Sequence, residues 1–400
     1  MAKQKFANPF RPGAGHTPPY LAGRGSETAE FTRLLGQGVI LENLILTGLR
    51  GVGKTVLLDT FKPIAMKSGW LWVGTDLSEA TSLSEERIAI RLMSDLASLT
   101  VHLPIQLQGE RFVGFQKTTE HTRLDYTFLE KLFRSTPGLI ADKLKHVLEF
   151  VSNGVRSLNL RGIVFAYDEA QNMADHATRN EYPLSLMLDC FQSIQRKEIP
   201  FMVVLAGLPT LFPKLVEART FSERMFRVVF LDRLSVEDSR EAIQRPIDNA
   251  NCPVKLLVDP IVEASGGYPY FIQFICREAY DSYLQQIEAG VAKPSVFIDE
   301  ILRKLDSDFF AGRWARATDR QRELMYVIAK TEHASSEFTL QEVSQASKKW
   351  AARPFSPSQI SQMFVKLSEA GLVYKNRHGK YSFAVPLLEE FIRRHAEKTF

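Results

Sequence analysis

Eight consecutive residues, Gly48-Leu49-Arg50-Gly51-Val52-Gly53-Lys54-Thr55, match the spacing GxxxxGK[ST]. Glycines let the backbone turn tightly enough for its N–H groups to wrap an anion, and a helix that opens at the lysine adds the partial positive charge of its N-terminus. Gly48, Gly51, Val52, Gly53, Lys54, Thr55 and Val56 are therefore expected to hold the phosphates of a nucleotide. Lys54 would reach the β- and γ-phosphates, and Thr55 would ligate Mg2+. A chance glycine-rich turn is the alternative. Against it stands the apolar run Leu44-Ile45-Leu46-Thr47 directly upstream, which reads as the strand such a turn requires.

A second candidate centre is Phe165-Ala166-Tyr167-Asp168-Glu169, an apolar strand ending in two carboxylates. With a phosphate cradle upstream, Asp168 would complete the shell of Mg2+ and Glu169 would polarise the attacking water. The competing reading is a solvated acidic pair at a strand end. Turnover of ATP, as distinct from its binding, rests on Glu169. The eight histidines show neither HxH nor HExxH spacing, and no GxSxG elbow occurs, so the sequence points to no other catalytic metal or serine nucleophile.

The elements that must position these residues can be read from periodicity. Besides residues 44–47, apolar runs at 70–73, 162–167, 201–206 and 227–231 have the length and composition of strands buried on both faces. Helical spacing between them, as in Ile88, Leu92 and Leu96, gives βα alternation and hence an α/β fold with a parallel sheet. Ser26 reads as the cap of a first helix running to about Leu35. The long stretch 77–160 is expected to carry extra helices, with 104–122 as a loop. Strand signals end near Leu234, where Ser235 caps a helix over 236–249. A further helix follows Gly266-Gly267-Tyr268-Pro269, and an amphipathic stretch covers 298–314. Helices over 321–330, 340–349 and 358–370, then two short strands around 376–380, make a helix-helix-helix-wing pattern. The expected domains are an extended arm (1–25), a P-loop core (26–234), a helical lid (235–317) and a winged helix (318–400).

Composition bounds the function class. Of 400 residues, 45% are apolar and 24% charged, enough for a real core and too ordered a balance for a disordered chain. Cys190, Cys252 and Cys276 lack CxxC spacing, so no disulfide framework or zinc site is expected. Neither a signal peptide nor a run of about 18 apolar residues is present, and the expectation is a cytoplasmic protein with no membrane span. The formal charge is +4, and residues 319–400, with 13 Lys and Arg against 9 Asp and Glu, carry an excess of the same size.

Taken together, Tyr20-Leu21-Ala22-Gly23-Arg24, the P-loop, Asp168-Glu169-Ala170-Gln171 and Ala206-Gly207-Leu208-Pro209 resemble the AAA+/STAND ATPases of the origin-recognition and archaeal-ATPase type. The resemblance spans nearly the whole chain. It implies a parallel-sheet P-loop ATPase core of the AAA+/ASCE kind, with ATP and Mg2+ as cofactors and a homo-oligomer assembled by nucleotide. It further implies that Tyr20 and Leu21 cradle adenine, the alternative being an ordinary N-terminal tail. Arg224, and after it Arg219, occupy the place of an arginine finger that reaches a neighbour's γ-phosphate, unless they are plain surface arginines. Two departures stand out. Where such ATPases place a polar sensor after the fourth strand, this chain has Gly207-Leu208-Pro209, with Thr210 the nearest hydroxyl. Gly267-Tyr268-Pro269-Tyr270, similar to the STAND GxP motif, replaces the lid arginine.

In the C-terminal unit, Ile360, Phe364 and Leu367 share one helix face and Gln359, Gln362 and Lys366 lie off it, where base edges or phosphates would be met. Lys375, Arg377, His378 and Lys380 make a basic wing, with Lys348, Lys349 and Arg353 ahead of the third helix. Phosphate neutralisation by such a cluster favours double-stranded DNA as partner. A winged helix used for protein packing or autoinhibition is the alternative. Two functions follow from the same residues: a DNA-associated ATPase, or a signalling switch in which nucleotide state controls a protein partner. A third is a nucleotide-binding scaffold with little turnover.

Overall fold

The structure is a computed structural model that describes residues 7–13, 15–103, 111–113, 116–118, 124–250, 254, 256–377 and 379–396. Its described residues fall into two compact units. Those within Gly25–Thr47 and Lys54–Phe230 form a sheet unit, and those within Met1–Arg24, Gly48–Gly53 and Leu231–Phe400 form a helical unit.

In the sheet unit the strands are β1 (Asn43–Thr47), β2 (Trp70–Val73), β3 (Arg111–Val113), β4 (Gln116–Thr118), β5 (Gly162–Tyr167), β6 (Phe201–Gly207) and β7 (Phe226–Phe230). Five of them build one sheet in the order β2-β5-β6-β1-β7, every pair parallel. The expected apolar runs all form strands, and every residue of β1, β5 and β6 is buried. Their composition causes this: a strand covered by helices on both faces can carry no polar alternation. Helices Lys54–Lys67, Glu85–Thr100, Ile140–Ser157 and Pro183–Gln195 supply much of the cover. Phe31 of the first helix stacks on Phe61 of the second at 4.2 Å between ring centroids. Side chains such as Phe165, Phe191 and Phe201 are fully sequestered, each worth about 1.5–3 kcal/mol of hydrophobic burial.

Two expectations are corrected here. The first helix begins at Gly25, one residue before Ser26, and the Ser26 hydroxyl donates to Glu27 at 2.9 Å instead of capping. A serine followed by a carboxylate has that local partner within reach, and the competition defeats the cap. Within the stretch expected as a loop, the described residues form a small antiparallel hairpin of β3 and β4; the remainder of that stretch lies outside the described residues. The amphipathic stretch 298–314 is helical throughout, with a π-turn over Asp306–Phe310 between Ile298–Leu305 and Ala311–Trp314.

In the helical unit, Ser235 does cap helix Val236–Ala250, its hydroxyl accepting from Asp238 N at 3.0 Å. Helices Val258–Ser265 and Pro269–Glu288 follow, then Asp319–Ala329, Leu340–Trp350 and Pro357–Glu369. A three-stranded sheet closes the unit, ordered β8 (Phe338–Thr339), β10 (Lys380–Phe383), β9 (Val373–Arg377). Both β8 and a last helix, Leu388–Ala396, go beyond the sequence expectation. One hydrophobic cluster runs through the unit, from Phe10 through Phe271 and Phe310 to Phe391. Phe310 and Phe391 stack at 5.1 Å. The N-terminal arm is extended yet anchored: Phe10 is buried, and Asn8 donates to Arg277 O at 2.9 Å and to Asp281 at 2.8 Å. Among the described residues no helix is long and apolar enough to cross a membrane.

Candidate functional site

Because the sheet is parallel, the carboxyl ends of β1, β5 and β6 lie along one edge, where open α/β sheets bind ligands. Helix Lys54–Lys67 opens there with Lys54, Thr55 and Val56. Thr55 Oγ1 donates to Asp168 Oδ2 in a very short hydrogen bond. The Asp168 backbone is fixed by the neighbouring chain: Leu77 N donates to its carbonyl at 2.9 Å and its own N–H reaches Thr75 O at 3.2 Å. Burial raises the Asp168 carboxyl above its ordinary range, and the Thr55 hydroxyl, the Glu169 N–H at 2.7 Å and the Lys54 charge pull it back. A sequestered carboxylate sharing a hydroxyl is the donor set of a hard cation that takes its other ligands from water and phosphate. Among the described residues no cage of three or more His, Cys, Asp or Glu side chains competes with it.

Glu169 is exposed and sits in the left-handed region at φ 50°. Gln171 Nε2 donates to Glu169 Oε2 in a very short bond. The same side chain, nearly buried, accepts from Leu208 N at 3.0 Å through Oε1. The Gln171 carbonyl accepts from Lys214 Nζ at 2.8 Å, and burial holds that ammonium below the usual lysine range. Gly207, at the end of β6, leaves space for this: a Cβ there would lie 2.7 Å from Gln171 Oε1.

The turn Gly48–Gly53 belongs to the helical unit. Gly51 and Gly53 adopt φ of 81° and 92°, which L side chains rarely reach. A Cβ on Gly48 would stand 2.3 Å from Leu231 O. Two donors from outside the turn take its carbonyls: Tyr270 N donates to Gly51 O at 3.1 Å, and Arg24 Nη2 donates to Val52 O at 2.9 Å and to Asp232 O at 2.8 Å. Since the N–H of the next residue points opposite to each carbonyl across a trans peptide, the Val52 and Gly53 N–H groups are turned the other way. Arg24 is nearly buried. Half-buried Tyr20 donates to Glu241 Oε2 at 2.8 Å, and the Arg245 guanidinium lies 4.8 Å from its ring centroid. Leu21 beside it is half-buried.

Of the two finger candidates, Arg219 is tied down, its guanidinium forked onto both Asp189 oxygens at 2.8 and 2.7 Å and onto Ser185. Arg224 lies in the last turn of the short helix Ser222–Met225 and is exposed, with no side-chain partner among the described residues. On helix Pro357–Glu369, Ile360, Phe364 and Leu367 are buried while Gln359, Gln362 and Lys366 are exposed. Gln359 is not wholly available, because its Oε1 accepts from Ser356 N at 3.0 Å in a capping box. Lys375 is exposed on β9, and Lys380 on β10 stands opposite Arg377 in the ladder. His378 lies outside the described residues.

Sequence reasoning missed Gln171, Arg24 and Tyr270 as contributors; all three stood in motifs the sequence shows, but nothing in their spacing reported their distant partners.

Residues 307–392 match the family described as "Domain of unknown function (DUF8462)". No curated protein matches the chain in sequence. Among solved structures it is similar to the Walker-type ATPase paby2304 of Pyrococcus abyssi, at 15% identity and a TM-score of 0.57, covering 93% of this chain and 96% of that one. It is also similar to the ORC2 protein of Aeropyrum pernix in its ADP form, at 15% identity and a TM-score of 0.54, covering 96% and 97%. At that identity the likeness is one of fold: the chain has an α/β P-loop ATPase fold of the kind seen in archaeal ORC and Walker-type ATPases.

Proposed function

We propose that the chain binds MgATP through Gly48, Gly51, Val52, Gly53, Lys54, Thr55 and Val56, hydrolyses it with Asp168 and Glu169, assembles in a nucleotide-dependent way, and binds double-stranded DNA through its C-terminal winged helix. The observation that carries this is the Thr55 hydroxyl paired with buried Asp168, one residue from an exposed glutamate. The A. pernix neighbour, solved in an ADP form, supports an adenine nucleotide. When bound, MgATP supplies the transferable phosphoryl group and the cation that neutralises it. Lys54 pairs with the phosphates, Thr55 and Asp168 hold the cation, and Glu169 accepts the proton of the attacking water. Tyr20 and Leu21 flank the base, and Arg224 of a neighbouring protomer in a cytoplasmic homo-oligomer offsets the developing charge.

Lys54→Ala is expected to abolish MgATP binding, since it removes the side-chain cation of the cradle. Glu169→Gln should bind normally yet turn over roughly 10²–10⁴-fold more slowly. Arg224→Ala should also bind and stall, and mixing it with Lys54→Ala should restore part of the activity at shared interfaces. Nucleotide titration and phosphate release read all three; wild-type affinity in Lys54→Ala would sink the site, and undiminished hydrolysis in Glu169→Gln would move the base elsewhere.

The switch reading has one observation in its favour. The helices after Leu234 and the terminal winged-helix elements share one buried cluster, through which a nucleotide-driven shift would reach a protein partner. Nucleotide-gated protein association without salt-sensitive DNA binding would select it.

A further inference from the structure

We infer that Gln171 is the positioning residue for Glu169, holding one carboxylate oxygen so that the other faces the water. This rests on the reading of Glu169 as the group that accepts the water's proton. The orientation of the Gln171 amide follows from its partners. Leu208 N–H can only donate, so Oε1 must face it at 3.0 Å, and Nε2 is left pointing at Glu169 Oε2. The reversed amide would set donor against donor and acceptor against carboxylate. Only an amide side chain of this length satisfies both ends.

The surroundings fix that amide. Gln171 is 9% exposed, its carbonyl accepts from Lys214, and its side chain fills the space that Gly207 leaves at the end of β6. Any larger residue at 207 would strike Gln171 Oε1 at 2.7 Å and Leu211 Cδ2 at 3.0 Å. Glu169, by contrast, is exposed, and a free glutamate there would sample several rotamers. Its left-handed backbone, which a non-glycine residue seldom adopts, turns with the chain into the short 3₁₀ segment Ala170–Asn172 that carries Gln171. The carboxylate is thus oriented by the strand end next in the sheet to its own strand.

The test uses the full chain with MgATP. Gln171→Glu is nearly isosteric and keeps the acceptor for Leu208 N–H while removing the donor to Glu169; Gln171→Leu removes both. Each is expected to keep nucleotide affinity and to lower kcat roughly 10–100-fold, the scale of a misplaced catalytic group. In a Glu169→Gln background, single-turnover rates should show no further loss when Gln171→Glu is added, because residues acting as one unit are not additive. Turnover of Gln171→Glu within about twofold of the native rate, a faster variant, or an equal fold-loss in both backgrounds would overturn the inference. If Gln171→Leu does not fold, the isosteric variant alone decides. Native turnover in Glu169→Gln itself would instead remove the parent reading, and this one with it.

Discussion

Asp168 is a charge placed where the apo fold does not favour it. Its folded carboxyl is raised by burial, so the folded state holds the proton to higher pH than the unfolded chain does. The destabilisation is absent below the ordinary carboxylate range and accrues as pH climbs from that range through the raised value. Asp168→Asn is therefore expected to raise the melting temperature of the apo protein at pH 7 and to leave it unchanged near pH 3. The same variant should no longer gain stability from Mg2+ with nucleotide. A lower apo melting temperature at pH 7 would mean that the bonds to Thr55 and Glu169 N outweigh desolvation. At this scale Lys54, Thr55, Asp168 and Glu169 were legible because their spacing follows local strand and helix geometry. Gln171 and Arg24 were not, because their partners lie 37 residues on for one and 28 and 208 residues on for the other.

Elements were legible where burial is uniform and illegible where it is local. β1, β5 and β6 announce themselves by composition, since a strand covered on both faces is apolar almost throughout, with Asn43 and Thr47 the polar ends of β1. The π-turn Asp306–Phe310 left no trace in the apolar spacing, and two-residue β8 is too short for any period to show. The turn Gly48–Gly53 belongs to this scale too, because its shape depends on a donor that comes from the arm. Arg24 reaches both carbonyls from one guanidinium nitrogen, Nη2. Arg24→Ala is expected to weaken nucleotide binding roughly 10–100-fold, in line with about 1.5–3 kcal/mol for a charged hydrogen bond. Isothermal titration checks this, and native affinity in Arg24→Ala would show that the turn keeps its shape without the arm.

Across the whole molecule the informative quantity is where the charge lies. An excess equal to the whole +4 falls in residues 319–400, and exposed Lys366 and Lys375 belong to it. If duplex DNA is the partner, changing Lys375, Arg377 and Lys380 to alanine should shallow the slope of log K against log salt by about 0.9 for each phosphate no longer neutralised, on every sequence alike. MgATP binding should not change. Gln362→Ala should cost about 1–3 kcal/mol only on preferred sequences. Gln359 is a poorer probe, because its side chain also caps its own helix. A wing variant with full DNA affinity from about 50 to 200 mM salt, or a native protein that never binds DNA, would favour the protein-switch reading.

The helical unit is assembled from three separate stretches of chain, and this imposes an order of events during synthesis. Every residue of the five-stranded sheet has emerged once Phe230 is made, so the sheet can close early. The turn Gly48–Gly53 cannot yet be finished. Asp232, which shares Arg24 Nη2 with Val52, is still to come, and Tyr270, whose N–H takes the Gly51 carbonyl, follows 219 residues behind it. Counted from Phe230, where the sheet is complete, Tyr270 is 40 residues away, and at roughly 5–20 residues per second that interval is roughly 2–8 s. Phe10 waits longer still for the edge of Tyr280. The nascent protein thus owns the whole sheet sequence before it owns a finished phosphate cradle, and the first residues to leave the ribosome are among the last to find their place.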